Sequence, residues 1–441
     1  MNAWEKISEE LSLDGTGEAR LGLLRSNTRG DRVIWSIVAF LVLLGMLAVY
    51  SSTGTLAYTA FEGRTSYFLF KQMSFIVVGV AIIYFTHLAD YRIFSRIALW
   101  LYLVSIPMLL FTLVYGASLN EASRWIKVPV INLTFQTSDF ARLALFMYLA
   151  RQLSRKQKVI NDFRKGFVPL IAPIAITCLL IAPANLSTCL LTGATGMLLL
   201  FLGRASLKHL LITVGVMLLP VAILVFMAIA SEKNNQEGKA ASGSALVSEV
   251  SQAGRVGTWI SRIQDFMYAK GDNEPYQLQQ SKIAVAKGGW FGLGPGNSQQ
   301  RNYLPHSYSD FIFAIIIEEY GIAGGFMVMM LYMVFLYRCI IIIRKSPRAF
   351  GAFLALALSM TLVIQALINM AVNIGLFPIT GVTMPLVSMG GTSFLFTCFS
   401  IGIILSISRY IQRIDGEVDV AAAVPATVGD DAGNEGEVAN G

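Results

Sequence analysis

Residues 33–52 read VIWSIVAFLVLLGMLAVYSS, a continuous apolar stretch without a charged side chain. A helix needs about 20 largely apolar residues to cross the hydrocarbon core of a bilayer, and this stretch has that length. The composition of the whole chain agrees, because 55% of its 441 residues are hydrophobic and only 14% are charged, whereas soluble domains carry about 25% charged residues. Residues 33–52 are therefore predicted to be the first transmembrane helix of an integral membrane protein.

Nine further apolar stretches predict an all-α fold with about ten transmembrane helices. They are residues 68–87, 97–115, 138–153, 167–182, 186–202, 207–230, 311–337, 352–374 and 384–407. This division predicts an N-terminal segment at 1–32, a polytopic membrane domain at 33–411 and a disordered tail at 412–441. Residues 231–308 form one large loop between the seventh and eighth spans.

Basic residues indicate the orientation of these spans. Lys and Arg concentrate before the first predicted span and after the second, fourth, sixth, eighth and tenth. Short cytoplasmic loops carry such an excess, so both termini are predicted to be cytoplasmic and the long loop extracytoplasmic.

Several classes of function find no support. The net charge of +7 resides in these short clusters, so nucleic acid is not an expected partner. The four cysteines, Cys178, Cys189, Cys339 and Cys398, all lie in apolar stretches and are interpreted as small hydrophobic residues. With only three histidines, the chain shows neither zinc-type spacing nor a Ser-His-Asp set, and no metal site is predicted.

Polar side chains inside the predicted spans are candidate functional groups, because they are costly in lipid unless they face a cavity or a partner. Asp139 and Arg142 share one helix face. They are interpreted either as an internal ion pair or as part of the wall of a polar cavity. Asn185 suits a helix cap. Gln365, Asn369 and Asn373 form a stripe that favours packing between helices over the lining of a cavity.

The long loop contains a glycine-rich run at residues 288–298 that matches neither the Rossmann nor the P-loop pattern. Its glycines either permit tight turns or let backbone amides approach a phosphate. Asp310, Glu318 and Glu319 follow near the start of the eighth span, where acids also suit the helix dipole. The residues alone thus indicate a transporter or a membrane enzyme that acts on a polar or lipid substrate.

Four segments, in order, make the sequence resemble the SEDS family of cell-shape, division and sporulation proteins, which includes FtsW, RodA and SpoVE. The resemblance covers residues 33–411, and Met389 departs from the family's usual Tyr, Ser or Ala. The first segment is Val49-Tyr50-Ser51-Ser52, and the second is Arg124-Trp125-Ile126 with Phe135-Gln136-Thr137-Ser138-Asp139. The third is Tyr276-Gln277 with Gln280-Ser281, Leu304-Pro305, Ser309-Asp310-Phe311 and Glu318-Glu319, and the fourth is Asn369 with Gly375–Val382 and Leu386–Ser393.

The resemblance implies a peptidoglycan glycosyltransferase that polymerises lipid II. It places the catalytic base at Asp272, which lies two residues closer to the following Tyr-Gln pair than the family pattern has it. Asp265 and Glu274 are the rival bases. The substrate-binding residues that it implies are Arg124, Gln136, Asp139, Arg142, Asn185, Gln277 and Asp310. Asn185 stands where the family usually has Asp, which weakens a proton or metal role there.

The resemblance also implies a setting in the bacterial inner membrane at the division septum. Expected partners are lipid II, a class B penicillin-binding protein and other membrane proteins of the division machinery. A divalent cation, Mg²⁺ or Mn²⁺, is a possible cofactor. The division role is favoured over an elongation role of the RodA type. A lipid II flippase and a structural scaffold for the division machinery stay open as alternatives.

Overall fold

The computed structural model describes most of the chain, and every structural statement below concerns the described residues. They are residues 30–53, 65–115, 117–119, 122–128, 133–237, 254–268 and 274–423. The predicted N-terminal segment falls outside them except for its last three residues, and so does the chain beyond residue 423.

Helices dominate the described part of the chain, and each of the ten predicted spans coincides with one. The helices are α1 Arg32–Ser52, α2 Thr65–Leu88, α3 Tyr91–Tyr115, α4 Thr137–Lys156, α5 Val168–Ile181, α6 Leu186–Leu202, α7 Leu207–Glu237, α8 Gly254–Tyr268, α9 Tyr276–Gly288, α10 Ile312–Lys345, α11 Ala349–Asn373 and α12 Thr392–Ala423.

The chain is a multi-pass membrane protein. Among the described residues, eight helices are long and apolar enough to cross a bilayer, namely α1, α2, α3, α5 with the turn before it, α7, α10, α11 and α12. The apolar helix α6 is shorter, and α4 does not reach the required hydropathy. The total of ten spans and their orientation therefore stay predictions.

Helix α4 is polar because it lies inside the bundle. Its residues from Thr137 to Met147 are buried, apart from the half-buried Phe140, and it packs against α3, α5, α11 and α12. A helix that meets protein on every side needs no apolar surface toward lipid.

A small antiparallel sheet lies between α3 and α4, where the prediction has only a loop. Its strands are β1 Ala117–Leu119, β2 Ala122–Val128 and β3 Leu133–Gln136, in that spatial order. Trp125 pairs with Gln136 and Ile126 with Phe135. The all-α prediction therefore holds for the spans but misses this sheet, because its strands are too short for a clear period-2 pattern.

Three predicted boundaries were wrong. Helix α12 begins at Thr392 rather than at Met384, because residues 384–391 form turns that include Gly391 with φ 53°. The same helix continues to Ala423, so residues 412–423 are helical and not a disordered tail. The long loop contains α8 and α9, and α7 extends into it as far as Glu237.

Contacts between helix ends define two faces of the bundle. On one face, Ser307 Oγ donates to the Ser52 carbonyl oxygen at 3.3 Å, and Asn373 Oδ1 at the end of α11 accepts from Ala314 N at 3.0 Å. We call this end the loop face, because it carries the described parts of the long loop, residues 254–268 and 274–311. It also joins the start of α4 to the start of α12, through Gln136.

The other end of the bundle is the basic face. Arg338 Nη2 lies 2.6 Å from Asp31 Oδ2, and Arg409 Nη1 donates to the Leu88 carbonyl oxygen at 2.9 Å. Asp31 also caps α1 by accepting from the backbone N–H of Val33 at 2.9 Å. The basic clusters that indicated the cytoplasmic side thus meet at one end, as the predicted alternation of spans requires.

Candidate functional site

The start of α4 and the start of α12 meet on the loop face. Thr392 Oγ1 donates to the Thr134 carbonyl oxygen at 3.1 Å and accepts from Gln136 N at 3.3 Å. Gln136 Nε2 donates to Ser138 Oγ at 3.0 Å. Two of the segments that carry the resemblance, residues 135–139 and 386–393, are therefore neighbours in space.

Asp139 and Arg142 form an ion pair at this junction. Arg142 Nη2 lies 3.6 Å from Asp139 Oδ1, and 5% and 9% of the two residues are exposed. The Ser393 hydroxyl also interacts with the Asp139 carboxylate. The geometry agrees with an internal ion pair, because both residues are buried. It also agrees with the wall of a polar cavity, because the pair lies beside polar groups of the junction.

Asn185 caps a helix, as the sequence indicates. Its Oδ1 accepts from the backbone N–H of Thr188 at 3.3 Å, and the residue is buried. A small pocket between α3, α4 and the α5–α6 turn is lined by Asn185 together with Thr112, Thr137 and Ser138. The cap therefore lies next to the α4 junction, and a role of Asn185 in substrate binding stays a prediction.

The polar stripe on α11 binds backbone rather than lining an open cavity. Gln365 Nε2 donates to the Thr383 carbonyl oxygen at 2.8 Å. Asn369 Nδ2 donates to the carbonyl oxygens of Val382 at 2.7 Å and Asp310 at 2.9 Å. The packing interpretation is confirmed, because these amides hold the non-helical segment 374–391 that precedes α12.

The segment 374–391 connects the α4 junction to Asp310. Ser388 Oγ donates to the Ser309 carbonyl oxygen at 2.6 Å, and Met389 N donates to that of Tyr308 at 3.0 Å. A Cβ built on Gly381 would lie 3.5 Å from Asp310 Oδ2. The Asp310 carboxylate thus lies against a segment whose far end reaches Gln136 and Asp139.

Arg262 of α8 lies in this region, and the sequence analysis does not predict it as a functional residue. Burial lowers the pKa of its guanidinium, while the charge of Asp310 acts in the opposite direction. Burial and the same carboxylate raise the pKa of Tyr308. The signal for Arg262 was a cation on an amphipathic helix, which also carries Arg255. The apolar side chains Ile260 and Ile263 of this helix pack on α7 and α6.

The rival bases and Gln277 lie around the α8–α9 connection. Asp265 is half-buried on α8, and Gln277 is half-buried in the first turn of α9. Lys282 Nζ lies 2.5 Å from Glu274 Oε1, so Glu274 forms an ion pair. Asp272 lies outside the described residues.

Helix α9 is anchored beside Asp310. Its Ser281 Oγ donates to the carbonyl oxygen of Asn373 at 2.7 Å, and Asn373 Nδ2 in turn donates to that of Asp310 at 3.0 Å. Arg124 lies on β2, one residue before the Trp125–Gln136 pair. The structure therefore gathers the described candidates on the loop face, in one group at α4 and another at Asp310.

Glu318 and Glu319 serve the loop rather than a binding site. Glu318 is fully buried and accepts from Ser298 Oγ, from Gln299 N at 3.1 Å and from Gln300 N at 3.2 Å. Glu319 accepts from Ser51 Oγ at the end of α1. Both acids fasten residues 296–301 onto α10.

The glycine-rich run packs against a kink in α10. Gly321 at the kink has φ 73°, and a Cβ there would collide with the Trp290 carbonyl group. A Cβ on Gly292 would likewise collide with the Glu319 carbonyl group. Gly292 has φ 80°, as the tight-turn role predicts, and it also packs closely on α10, which is a third role that the sequence does not indicate; the phosphate role stays a prediction.

No three His, Cys, Asp or Glu side chains of the described residues group in a way that could hold a metal ion. The Mg²⁺ or Mn²⁺ that the resemblance implies therefore stays a prediction.

Comparisons with known proteins agree with this arrangement. A family model described as a cell cycle protein, FtsW/RodA/SpoVE, matches residues 31–413. A probable peptidoglycan glycosyltransferase FtsW from Trichlorobacter lovleyi is 31% identical over 388 residues, which cover 87% of this chain and 94% of the relative. Stage V sporulation protein E of Bacillus subtilis is 30% identical over 387 residues, with 87% and 98% coverage.

Solved structures share the fold. A chain from a peptidoglycan synthase complex that coordinates polymerization and crosslinking superposes with a TM-score of 0.66 at 21% identity, covering 87% of this chain and 98% of that one. The rod shape determining protein RodA of Thermus thermophilus gives a TM-score of 0.59 at 20% identity, with 86% and 97% coverage.

Proposed function

Because the chain belongs to the FtsW/RodA/SpoVE family of cell cycle proteins, we propose that it is a peptidoglycan glycosyltransferase that polymerises lipid II into glycan strands. The observation that carries the proposal is the match across residues 31–413 to a family whose curated relatives include glycosyltransferases at about 30% identity over nearly their whole length. The polar groups on the loop face supply the chemistry that such a substrate needs.

The substrate suits a site at the end of a helix bundle. Lipid II has a polyprenyl chain for the bilayer, a pyrophosphate for the interface and sugars for the aqueous side. Arg262 and the polar group at the start of α4 lie on the loop face, where a pyrophosphate would reside. Fixed cations and amide donors at that position stabilise the charge that develops on a leaving pyrophosphate.

We assign the general base to Asp272. It removes the proton from the acceptor sugar hydroxyl, the oxygen bonds to the anomeric carbon of the donor, and the bond from that carbon to the pyrophosphate breaks. Support comes from its neighbours, because residues 269–273 connect α8, which carries Arg262, to α9, which starts with Tyr276 and Gln277. The residues proposed to line the substrate site are Arg124, Gln136, Asp139, Arg142, Asn185, Gln277 and Asp310.

The test uses the purified protein with its cognate class B penicillin-binding protein, whose crosslinking is blocked by a β-lactam, and labelled lipid II. Wild type should form glycan chains and Asp272→Ala should form none, while Asp90→Ala on the opposite basic face keeps wild-type turnover. Equal glycan from wild type and Asp272→Ala would move the base to Asp265 or Glu274. Intact lipid II with wild type would refute polymerase activity.

The partner, the location and the cellular role are part of the same proposal. We propose a class B penicillin-binding protein as the partner that crosslinks the glycan, together with other membrane proteins of the division machinery. The loop face would be extracytoplasmic, at the septum of the inner membrane. Depletion should then produce filaments, whereas rounded cells would indicate the elongation role.

A flippase is the second candidate, because a buried ion pair such as Asp139–Arg142 is also typical of transport pathways. A flippase would move labelled lipid II between the leaflets of a vesicle without consuming it. Such movement, unaffected by Asp272→Ala, would favour transport over polymerisation.

A further inference from the structure

A groove separates α1 from α2 at the basic face, away from the site described above. It encloses about 680 Å³ and opens sideways, toward the surface that a bilayer would cover. Val77, Val80 and Phe85 line it, with 62%, 46% and 69% of each residue exposed. A volume of this size accommodates small-molecule ligands in proteins.

The groove exists because the two helices pack on different neighbours. Helix α1 is held to α10 by the Asp31–Arg338 ion pair at 2.6 Å. Helix α2 packs closely on α12, where a Cβ on Gly402 would collide with Thr86. The gap between α1 and α2 is therefore fixed by the bundle and does not close by a change of rotamer.

The end of the groove at the basic face carries a cation. Arg32 lines it and is exposed. The adjacent carboxylate of Asp31 is occupied by Arg338 and by its capping hydrogen bonds. Among the described residues, no carboxylate forms an ion pair with Arg32.

An aromatic ring lies beside this cation. Trp35 lines the groove, and its ring packs edge-on against His87 with 5.5 Å between centroids, so the indole is held in place. The indole Nε1 is buried, so the ring meets the groove as an apolar wall rather than as a hydrogen-bond donor.

We propose that this groove binds one anionic phospholipid of the leaflet at the basic face. An acyl chain lies along Val77, Val80 and Phe85 and against the Trp35 ring, and the phosphate meets Arg32. Basic pockets between transmembrane helices recognise anionic headgroups in this way. The groove opens on the face opposite to Asp310 and Gln136, which separates its lipid from the polymerisation substrate.

The test is native mass spectrometry of the full chain, mixed with equimolar phosphatidylglycerol and phosphatidylcholine of the same acyl chains. Wild type should retain one phosphatidylglycerol in preference to phosphatidylcholine. Arg32→Gln should reduce that retention about fivefold, the effect of one basic residue near an anionic headgroup. The matched control is Lys208→Gln, an exposed cation at the same face on α7, which should leave retention unchanged.

A steric pair of variants tests the position of the acyl chain. Val77→Trp fills the groove and should abolish retention, whereas Val78→Trp, on the neighbouring exposed residue outside the groove, should preserve it. Equal losses from Arg32→Gln and Lys208→Gln would overturn the proposal, since they would indicate general surface charge. Displacement of the lipid by equimolar polyprenyl phosphate would also overturn it, by identifying a carrier site.

Discussion

Replacing Asp139 alone should cost more stability than replacing Asp139 and Arg142 together. The two charges are 3.6 Å apart and buried, so at an effective dielectric constant of about 20 they attract each other by roughly 5 kcal/mol. Asp139→Leu leaves Arg142 as an uncompensated buried cation, which should lower the free energy of unfolding by about 3–5 kcal/mol. The double variant Asp139→Leu/Arg142→Met removes both desolvation penalties and should lie within about 1 kcal/mol of wild type.

The assay is titration with sodium dodecyl sulfate, followed by a thiol-reactive fluorophore. Cys178, Cys339 and Cys398 are free and buried, so they label only when the bundle opens. Asp90→Asn, which removes the charge of an exposed carboxylate, serves as the control. If the double variant is as unstable as Asp139→Leu, the ion pair is not the reason for the loss.

Three further predictions concern the loop face. Arg262→Ala should lower glycan formation at least tenfold, whereas Arg262→Lys should retain part of it, because the proposed role is a positive charge at the pyrophosphate. Equal activity of Arg262→Ala and wild type in the lipid II assay would contradict that role. Glu318→Leu should lower the free energy of unfolding by about 2–4 kcal/mol, since it leaves the N–H groups of residues 299 and 300 without an acceptor. Limited proteolysis should then cleave residues 296–301 faster than in wild type. Unchanged cleavage would argue that Glu318 does not hold this segment on α10. Because the pKa of Tyr308 is raised in the folded protein, unfolded chains lose this proton first as the pH rises above about 10. The stability of wild type should therefore fall above that pH, and the stability of Tyr308→Phe should fall less, as measured by thermal unfolding at several pH values. Parallel curves of stability against pH would contradict the raised pKa.

The spans were predictable because lipid imposes one simple rule on every helix that it touches. An uninterrupted apolar stretch such as residues 33–52 has no other stable location. The start of α12 was not predictable from hydropathy, since residues 384–391 carry no charge and run directly into the apolar stretch that follows. The non-helical path just before them is held by amide donors from α11, because Gln365 and Asn369 bind the carbonyl oxygens of Thr383 and Val382.

The site was partly predictable for a similar reason. Asp139 and Arg142 are conspicuous because charge at membrane depth is costly. Arg262 was not, because a cation in a polar loop is ordinary until tertiary packing places Asp310 near it. The glycines of residues 288–298 were ambiguous, since only the kink at Gly321 explains why their backbone must approach α10 so closely.

The polar character of α4 has a consequence for how the chain enters the membrane. A charged residue at the centre of a span costs about 2.5–3.5 kcal/mol during insertion, and α4 begins and ends with several charged side chains. Such a segment does not partition into lipid on its own. Its place in the bilayer depends on the apolar helices around it, so insertion of this buried helix and assembly of the bundle are one coupled event.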